Sequence, residues 1–403
     1  MAGPLTGYRV VDITTIVLGP YGAQLLGDLG ADVIKVEAPP GGDIFRHAGE
    51  GRHPGMGGSF LNMNRNKRSL CLDLKQAAAK EVLTRLIGTA DVLVHNMRPQ
   101  AIERLGFGYE NVAAIRPDIV YCGCYGFSAE GPYADKPAYD DLIQAAAGVA
   151  DLNRDADGEP RYAPTVLVDK LTGLMMSQAV LAALLHRERT GEGQFVEVPM
   201  FETMVSFLMV EHIFGHALVP PTGPLGYARL TTPNRRPHRS QDGFVAVLPY
   251  TDKQWASFFE LADRPDLKDD ARFATPASRT AHVHELYEVL AGLVAQKTTA
   301  EWMALCEEAQ IPAMPVMSLE DVFTDPHLAA VGLFQRQQHP SEGETVLTRP
   351  PVGFSASPAD IRLPAPRLGE HNADILEELG YGDNAVRDMA ASGALFAPDV
   401  EDG

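Results

Sequence analysis

The sequence predicts an α/β protein with a Rossmann-like large domain, built on a mostly parallel sheet, and a smaller α/β domain. Short apolar runs alternate with segments of helical periodicity over residues 8–185. Strands that are separated by helices pair in parallel, with helices on both faces of the sheet. The chain of 403 residues is also long enough to form two domains.

The strands of the large domain are predicted where short runs of apolar, often β-branched residues stand between turns or helical segments. These strands are predicted at 8–13, 32–37, 69–73, 91–95 and 118–122. The accompanying helices are predicted at 19–29, 76–87 and 171–185.

A dinucleotide site is one hypothesis for the first strand and helix. Gly19-Pro20-Tyr21-Gly22 follows the first strand, and Glu37 ends the second, where an acid binds ribose in NAD-dependent enzymes. However, the fingerprint lacks the G-x-G that precedes its last glycine, and Pro20 occupies the tightest part of the turn. The pattern therefore argues against an NAD site.

Proline and glycine interrupt the pattern between Gly215 and Arg239, which indicates a linker or an extended functional loop. The boundaries are therefore predicted at 1–200 for the large domain, 201–240 for the linker and 241–335 for the small domain. In the small domain, strands are predicted at 243–248 and 310–317, and helices at 252–261, 283–297 and 300–309. Residues 342–367 are rich in proline and turns, and a short helix is predicted at 372–379.

The composition is that of an acidic globular protein, with a formal net charge of -19. A nucleic-acid or anionic-membrane partner would require a basic face, so neither is expected, whereas a small polyanion in a local basic pocket is compatible with this charge. The cysteines, Cys71, Cys122, Cys124 and Cys306, have no metal-binding spacing and suit a reducing compartment. We see no signal peptide, and the 171–185 run is short for a membrane span, so a cytoplasmic protein without a metal site is expected.

A single carboxylate stands at the start of the long apolar segment near the middle of the chain. Asp169 lies at the predicted N-terminus of this helix, which is expected to be buried on most of its faces, and Gly173 follows one turn later. Glycine costs roughly 1 kcal/mol inside a helix, so another group is expected to approach closely at 173. Asp169 is therefore a candidate functional residue; the alternative is an N-cap that only accepts bonds from free N–H groups.

Motifs distributed along nearly the whole chain point to one family. They are Val10-Val11-Asp12, Gly19-Pro20, Leu29-Gly30-Ala31-Asp32, Asn66-Lys67-Arg68-Ser69, Asn96-Met97-Arg98-Pro99, Arg104-Leu105-Gly106, Tyr139-Asp140, Asp169, Gly191-Glu192-Gly193 and Gly369-Glu370-His371-Asn372. In this order and spacing the chain resembles the class III CoA-transferases. This family includes formyl-CoA transferase, carnitine and dicarboxylate CoA-transferases and 2-methylacyl-CoA racemases.

The resemblance implies that Asp169 is a nucleophile. Its carboxylate would attack the thioester carbonyl of a donor acyl-CoA, and CoA would then form a thioester with the aspartate before a carboxylic acid accepts it. An apolar setting favours this chemistry, because a fully hydrated carboxylate is a poor nucleophile. CoA is then a substrate, and no permanently bound metal or redox cofactor is implied.

The same resemblance implies which residues contact CoA. They are Val17, Leu18, Leu72, Lys75, Asn96, Met97, Arg98, Arg104, Lys136 and Tyr139. The four cations among them would supply positive charge for the phosphates of CoA, although a solvated surface cation is the alternative for each. Lys67 and Arg68 are equally compatible with a role in bracing the fold.

Two departures from the formyl-CoA transferases concern the substrate. Val17 stands where those enzymes carry a glutamine, and no glycine-rich run follows Gly226, so formyl and oxalyl substrates are disfavoured. The linker instead carries Arg229, Arg235, Arg236, His238 and Arg239. These cations could pair with the distal carboxylate of a C4–C6 dicarboxylate such as succinate, mesaconate, itaconate or glutarate. The alternative is a basic linker that packs against the acidic body. The resemblance also allows an intramolecular shift of CoA between the two carboxylates of one dicarboxylate.

Two other functions remain open. Racemisation of a 2-methylacyl-CoA requires two opposed acid-base groups, but Tyr139 stands where racemases place a histidine, and the ordinary pKa of tyrosine, about 10, suits a base poorly. The other is a non-catalytic CoA-binding protein, against which the presence of Asp169 argues. The resemblance further implies an interlocked homodimer, acyl-CoA and small carboxylic acids as partners, and a C-terminal segment, 336–403, that returns to the large domain.

Overall fold

The structure is a computed structural model that describes residues 3–155 and 157–396. Two compact units divide the chain. The first comprises residues up to Asn153, Arg161–Phe207 and the chain from Ala329 onward, and the second comprises Arg154–Pro160 and Leu208–Leu328. The first unit therefore contains both the N-terminal and the C-terminal segments.

A six-stranded parallel sheet forms the centre of the first unit. Its strands are β1 (Arg9–Ile13), β2 (Asp32–Glu37), β3 (Lys67–Cys71), β4 (Val92–His95), β5 (Val120–Tyr125) and β6 (Gln194–Pro199), in the order β3-β2-β1-β4-β5-β6. Every neighbouring pair is parallel, which confirms the predicted α/β fold and parallel sheet. The order reverses between β1 and β4, and in open parallel sheets ligands commonly bind at the carboxyl edge near such a reversal.

Helices connect the strands of the first unit. They are α1 (Leu18–Asp28), α2 (Gly58–Met63), α3 (Ala77–Gly88), α4 (Pro99–Leu105), α5 (Tyr109–Ile115), α6 (Asp140–Ala146), α7 (Val149–Leu152) and α8 (Leu167–Thr190), and α9 (Met200–His212) continues past Phe207. Val11 of β1 lies in an apolar cluster with Leu83 and Leu86 of α3. Because side chains alternate along a strand, Val10 points to the opposite face of the sheet.

The second unit contains a small antiparallel sheet and short helices. Its strands are β7 (His238–Arg239), β8 (Phe244–Val247) and β9 (Ala313–Pro315), in the order β7-β8-β9. Its helices are α10 (Ala228–Thr231), α11 (Asp252–Leu261), α12 (Pro276–Ala281), α13 (Val283–Val294), α14 (Thr299–Glu308), α15 (Leu319–Phe323) and α16 (Pro326–Ala330), the last of which runs past Leu328. The core is aromatic, with Trp302 stacked on Phe258 and its indole N–H donated to the carbonyl of Val294 at 2.8 Å.

The C-terminal segment adds a hairpin and two helices to the first unit. The hairpin strands are β10 (Phe334–His339) and β11 (Gly343–Thr348), followed by α17 (Asn372–Glu378) and α18 (Asp383–Ser392). The prediction of turns throughout 342–367 is therefore wrong for its first residues, which form β11. It missed the hairpin because the first strand, Phe-Gln-Arg-Gln-Gln-His, has no apolar alternation to indicate a strand. Ile375 and Leu376 of α17 are buried in the same apolar cluster as Val11.

Residues 201–240 differ from the predicted linker, since α9 occupies their first part. The sequence from Phe201 to His212 is rich in apolar residues and contains neither glycine nor proline, so it propagates the helix. The irregular backbone begins only after this helix, where glycine and proline become frequent.

Helix α8 is longer than predicted and less buried. It begins at Leu167 and ends before Gly191, which adopts the left-handed conformation that often ends a helix. Leu174 is 48% exposed and Leu185 52% exposed, so the expected burial on most faces is wrong for the single chain. Among the residues that the structure describes, α8 is also the one helix long and apolar enough to cross a membrane, a test that core helices pass as well.

Candidate active site

Asp169 lies in the first turn of α8, and its carboxylate is not used to cap the helix. The N-cap position is Val166, whose side chain makes no capping bond. Within the described part of the chain, no hydrogen bond or ion pair to the Asp169 carboxylate is present, although the residue is half-buried. The alternative that Asp169 serves as an N-cap is therefore wrong, and its oxygens are left for another partner.

The capping role falls to Asp140 from a different helix. Its Oδ1 accepts the backbone N–H of Asp169 at 3.0 Å, which satisfies one of the free donors at the start of α8. The other oxygen of Asp140 accepts from Gln144 Nε2 at 2.6 Å, and Gln144 Oε1 accepts the N–H of Ala163 at 2.9 Å. Asp140 and Gln144 are both buried. They fix the start of α8 and hold a negative charge close to Asp169.

The electrostatic surroundings of Asp169 favour its protonated form. Burial, followed by the charges of Asp140 and Asp141, raises its pKa from 3.8 to about 7. Desolvation and neighbouring like charge both disfavour the ionised carboxylate. Near neutral pH a large fraction is nevertheless ionised, and a carboxylate of raised basicity is a better nucleophile than an ordinary one.

For the attack on an acyl-CoA that the resemblance implies, the rate is expected to increase as the pH rises, with a midpoint of about 7. Only the ionised carboxylate has the lone pair required for attack, so the rate follows its fraction. Rapid-quench measurement of the covalent adduct across this pH range checks the prediction. Asp140→Asn keeps an acceptor for the Asp169 N–H but removes a charge, so its midpoint should lie at lower pH.

The stability of the fold also depends on the raised pKa of Asp169, and it should change with pH in the direction opposite to the rate. Because the folded-state pKa is raised, the free energy of unfolding should decrease as the pH rises from 3.8 to about 7. Asp169→Asn cannot ionise and is expected to be more stable than the wild type above pH 7, by roughly 2–4 kcal/mol from the size of the shift. Equal stability of the two proteins at high pH in urea denaturation would contradict the raised pKa.

Gly173 allows α1 to approach the start of α8. A Cβ atom at 173 would lie 2.6 Å from the carbonyl oxygen of Leu18 and 3.1 Å from the ring of Tyr21. The close approach that the sequence predicts at this glycine is therefore that of another helix. It brings the N-terminus of α1, preceded by Val17, within one helical turn of Asp169.

Gly173→Ala is expected to lower both the stability and the rate of transfer. Alanine is the better helix former by about 1 kcal/mol, but its Cβ would clash with backbone that cannot rotate away, at a net loss of roughly 1–3 kcal/mol. Urea denaturation and initial rates measure the two effects.

The matched control for this variant is Gly292→Ala in α13. A Cβ at 292 meets nothing within 4 Å, so helix propensity alone should make that variant slightly more stable. If Gly173→Ala were stabilised as well, the close packing described here would be contradicted.

The loop that precedes α1 is strained next to Val17. Ile16 has a φ of 72°, a left-handed conformation that is rare for a β-branched residue and costs about 1–3 kcal/mol. Its N–H donates to Oδ1 of the buried Asp43 at 3.0 Å. Such strain persists only where surrounding contacts hold it, and it is most frequent at functional sites. Here it sets the course of the backbone that meets α8 at Gly173.

Asn96 ties this loop to the loop that follows β4. Its side chain accepts the N–H of Thr15 at 3.1 Å and donates to the carbonyl of Thr15 at 2.9 Å. This pair joins the ends of β1 and β4, the two strands between which the order of the sheet reverses. Asn96, which the sequence predicts as a CoA contact, thus holds the two loops together.

The other predicted CoA contacts differ in their exposure. Val17, Leu18 and Leu72 are buried in this structure. Met97 packs against the large apolar cluster, and Tyr139 is 63% exposed. The four cations are exposed: Lys75, Arg98, Arg104 and Lys136.

These cations all follow the carboxyl end of a strand. Lys75 comes after β3, Arg98 and Arg104 lie at the two ends of α4 after β4, and Lys136 lies between β5 and α6. The ammonium of Lys136 lies 3.6 Å from the ring centroid of Tyr133. Carboxyl ends of parallel strands share one edge of the sheet, which is the usual edge for ligands.

The cations expected to bind a distal carboxylate lie in the second unit and are not equivalent. Arg235, Arg236 and Arg239 are exposed, and Arg239 lies over the ring of Phe244. His238 is buried, and its Nδ1 has no partner within the described residues. Burial and the charge of Arg236 lower the pKa of His238, so this histidine contributes no charge near neutral pH.

Sequence reasoning assigned no role to Asp140, Gln144 or Asp43. Asp140 and Gln144 are four residues apart on α6, and this spacing is the one local signal of their contact. By contrast, Lys67 and Arg68 do brace the fold: Lys67 is fully buried against Asp12, and Arg68 pairs with Asp32 and Glu378. 

Comparison with known proteins gives one consistent result. The family model of CoA-transferase family III matches residues 5–372. The chain is 33% identical to succinate–glutarate CoA-transferase of Agrobacterium fabrum, over 93% of this chain and 96% of that protein. It is 31% identical to succinyl-CoA:glutarate CoA-transferase of Mus musculus, over 97% of this chain and 90% of that protein. A crystal structure of Rv3272 from Mycobacterium tuberculosis superimposes with a TM-score of 0.82 at 34% identity, covering 93% of this chain and 99% of that one.

Proposed function

The chain belongs to CoA-transferase family III, and on this basis we propose that it moves CoA between carboxylic acids through covalent intermediates on Asp169. The observation that carries the proposal is the environment of the Asp169 side chain. The Asp169 side chain is half-buried and has no partner among the described residues, and its pKa is raised to about 7. A carboxylate with these properties is suited to attack rather than to hold the fold together.

The reaction begins with an acyl-CoA. An oxygen of Asp169 attacks the thioester carbonyl, the carbon–sulfur bond breaks, and CoA leaves as a thiolate, which gives a mixed anhydride. The thiolate then attacks the carbonyl carbon of the aspartyl group, and the donor acid leaves as a carboxylate. The product is an aspartyl-CoA thioester, which stores the activated carboxyl without a net loss of bonds.

The second half repeats these steps in reverse. The acceptor carboxylate attacks the aspartyl thioester and releases the CoA thiolate, which forms a second mixed anhydride. The thiolate then attacks the acceptor carbonyl, giving the new acyl-CoA and the free carboxylate of Asp169. Water would hydrolyse both anhydrides, so the partial burial of Asp169 limits the access of water to the intermediates.

CoA binds, in this proposal, along the carboxyl edge of the parallel sheet. The strand order, with its reversal between β1 and β4, supports a Rossmann-like ligand crevice there. The exposed Lys75, Arg98, Arg104 and Lys136 follow strands of this sheet and supply positive charge for phosphates. The acyl end would reach Asp169 past the backbone of Val17 and Leu18.

The substrates are dicarboxylic acids, with a succinyl-CoA-like donor and an acceptor of similar length. Two relatives are named for succinate or succinyl-CoA and glutarate, and Val17 replaces the glutamine expected for formyl transfer. A dicarboxylate offers a second charged group that an arginine can bind with two parallel hydrogen bonds.

Acceptors of matched length test the choice of substrate. With succinyl-CoA as donor, glutarate should have a kcat/KM at least about tenfold above that of pentanoate, which lacks only the second carboxylate. Equal values for the two acids would rule out dicarboxylate specificity while leaving the chemistry at Asp169 intact.

The protein is expected to act as a homodimer. Apolar side chains of α8 and of the part of α9 in the first unit are exposed in the single chain: Leu174, Met175, Leu185 and Phe207. Exposed apolar side chains of this size are covered when two chains associate through them. Light scattering after size-exclusion chromatography should give a mass of two chains, and a monomeric mass at working concentration would contradict this part of the proposal.

A further inference from the structure

The second unit contains a cavity that plays no part in the chemistry proposed above. Its volume is about 450 Å³, within the range of small-molecule sites. Its walls come from α11, α12 and α13, from the segment that follows β8, and from Tyr227 and Arg229. All of the lining residues belong to the second unit.

The cavity carries one positive charge that is not neutralised. Two arginines and one acid line it, and Arg279 is paired with Asp252 and also donates to the carbonyl of Phe273 at 2.8 Å. Arg229 instead donates its Nε–H to the hydroxyl of Tyr287 at 3.2 Å. Over the residues that the structure describes, no acid pairs with Arg229. Since arginine stays charged at any physiological pH, the cavity favours an anion.

Thr251 and Thr280 also line the cavity, and its other walls are aromatic and aliphatic. Tyr250 lies with its ring centroid 5.6 Å from the guanidinium carbon of Arg229, and Trp255 and Leu286 line the apolar side. A dianionic phosphate would need more cations than this single guanidinium. A carboxylate needs only one, because its two oxygens match the paired N–H groups of arginine.

We propose that this cavity is a binding site for a carboxylate with an apolar body, held by Arg229. Tyr287 accepts the Nε–H of Arg229, and Tyr227 also hydrogen-bonds its side chain. The remaining terminal N–H groups of Arg229 bind the ligand. The apolar part of the ligand lies against Tyr250, Trp255 and Leu286. The proposal rests on the second unit alone and does not depend on the chemistry proposed at Asp169.

The carboxylate can come from a free organic acid or from the distal end of an acyl-CoA such as succinyl-CoA. Both present the same group to Arg229. Of the five cations noted between 229 and 239, Arg229 is the one that lines this cavity among the described residues. Arg235 lies six positions along the chain, is exposed, and does not line the cavity, so it serves as a matched control.

Isothermal titration calorimetry with 3-phenylpropionate tests the site directly. The wild type should bind this acid at least about tenfold more tightly than 3-phenyl-1-propanol, which has the same body without the charge. Arg229→Gln should weaken binding of the acid about 10- to 100-fold, and Arg229→Lys should weaken it less. Arg235→Gln should bind as the wild type does.

Four results would overturn the proposal. Three of them are equal binding of the acid and the alcohol, equal loss in Arg229→Gln and Arg235→Gln, and no binding of 3-phenylpropionate to the folded wild type. Arg229→Lys keeps the charge and the packing, so it reports on the site even if the glutamine variant unfolds. Asp169→Ala should retain binding; loss there would place the acid at the catalytic aspartate and would also refute the cavity.

Competition distinguishes the two sources of the carboxylate. In Asp169→Ala, which cannot turn substrate over, succinyl-CoA should displace 3-phenylpropionate at least about tenfold better than acetyl-CoA if the distal carboxylate of a thioester occupies the site. If neither thioester displaces it, the ligand is a free acid. If the proposed CoA transfer through Asp169 were wrong, the competition experiment could still be interpreted, because displacement of 3-phenylpropionate does not require turnover.

Discussion

Replacing Asp169 by alanine is expected to lower the rate of CoA transfer by a factor of roughly 10⁴ or more, because the variant has no group to form the anhydride and the thioester. Binding of acyl-CoA should change little, since the carboxylate is not needed to hold the nucleotide. The measurement is the exchange of isotope-labelled succinate into succinyl-CoA, which needs no knowledge of the natural acceptor.

Two further variants separate the nucleophile from its surroundings. Asp169→Asn has nearly the same shape and should be as inactive as the alanine variant. Asp141→Ala removes a nearby exposed carboxylate from the first turn of α6, which helps to raise the pKa of Asp169, and should retain transfer activity. An Asp169→Asn enzyme with wild-type exchange would refute the assignment.

Replacing Lys67 by methionine is expected to reduce the free energy of unfolding by about 3–5 kcal/mol, the usual loss when one member of a buried ion pair is removed. Lys67 is fully buried, and its ammonium bonds Asp12 at 3.0 Å, the carbonyl of Pro20 at 2.9 Å and Asn64 at 2.9 Å. Burial alone would raise the pKa of Asp12, but Lys67 and Lys35 lower it. Because Lys35 remains, the loss should lie toward the lower end of this range.

Urea denaturation followed by circular dichroism measures this loss. The double variant Asp12→Asn, Lys67→Met should recover part of it, since no carboxylate is then left buried without its partner. Arg336→Met removes an exposed cation from the hairpin, where it pairs with Glu344 across β10 and β11, and should alter stability little. A Lys67→Met protein as stable as Arg336→Met would contradict the energetic role of the buried pair.

The parallel sheet could be predicted because its strands are buried on both faces and read as short apolar runs. The strand β6 was not predicted because Glu197 interrupts its apolar residues, so the segment does not form a short apolar run. For the same reason the polar strand β10 gave no signal. In the structure β6 is less buried than the other strands of the parallel sheet, and Phe195 is 41% exposed. Helix α9 was not predicted for a different reason. The proline-rich segment that follows it indicates irregular backbone, and this signal was extended to the whole of 201–240.

The candidate nucleophile was recognisable in the sequence, whereas its supports were not. Asp169 stands out as a lone acid at the start of an apolar helix. Asp140 meets it through a backbone hydrogen bond between residues 29 positions apart, and such a contact depends on the folded arrangement of α6 and α8. The strained φ of Ile16 is likewise invisible in the sequence, because nothing about isoleucine predicts a left-handed conformation.

At Gly173, the sequence predicts that a close contact exists but not which group makes it. A glycine inside an apolar helix indicates a close approach, and this much follows from the sequence. The identity of the approaching group, the backbone of Leu18, needs the packing of α1 on α8. The cavity around Arg229 is beyond sequence reasoning for the same reason, since its walls combine segments that run from Tyr227 to Leu290.

The most direct test of the account is intact-protein mass spectrometry after incubation with succinyl-CoA, with hydroxylamine added to trap an activated carboxyl group. We expect a CoA-sized or hydroxamate adduct on the wild type, located at Asp169 by peptide mapping and missing from Asp169→Ala. An adduct that persists in Asp169→Ala, or no adduct with succinyl-CoA or a panel of other acyl-CoAs, would contradict the role of Asp169 as nucleophile.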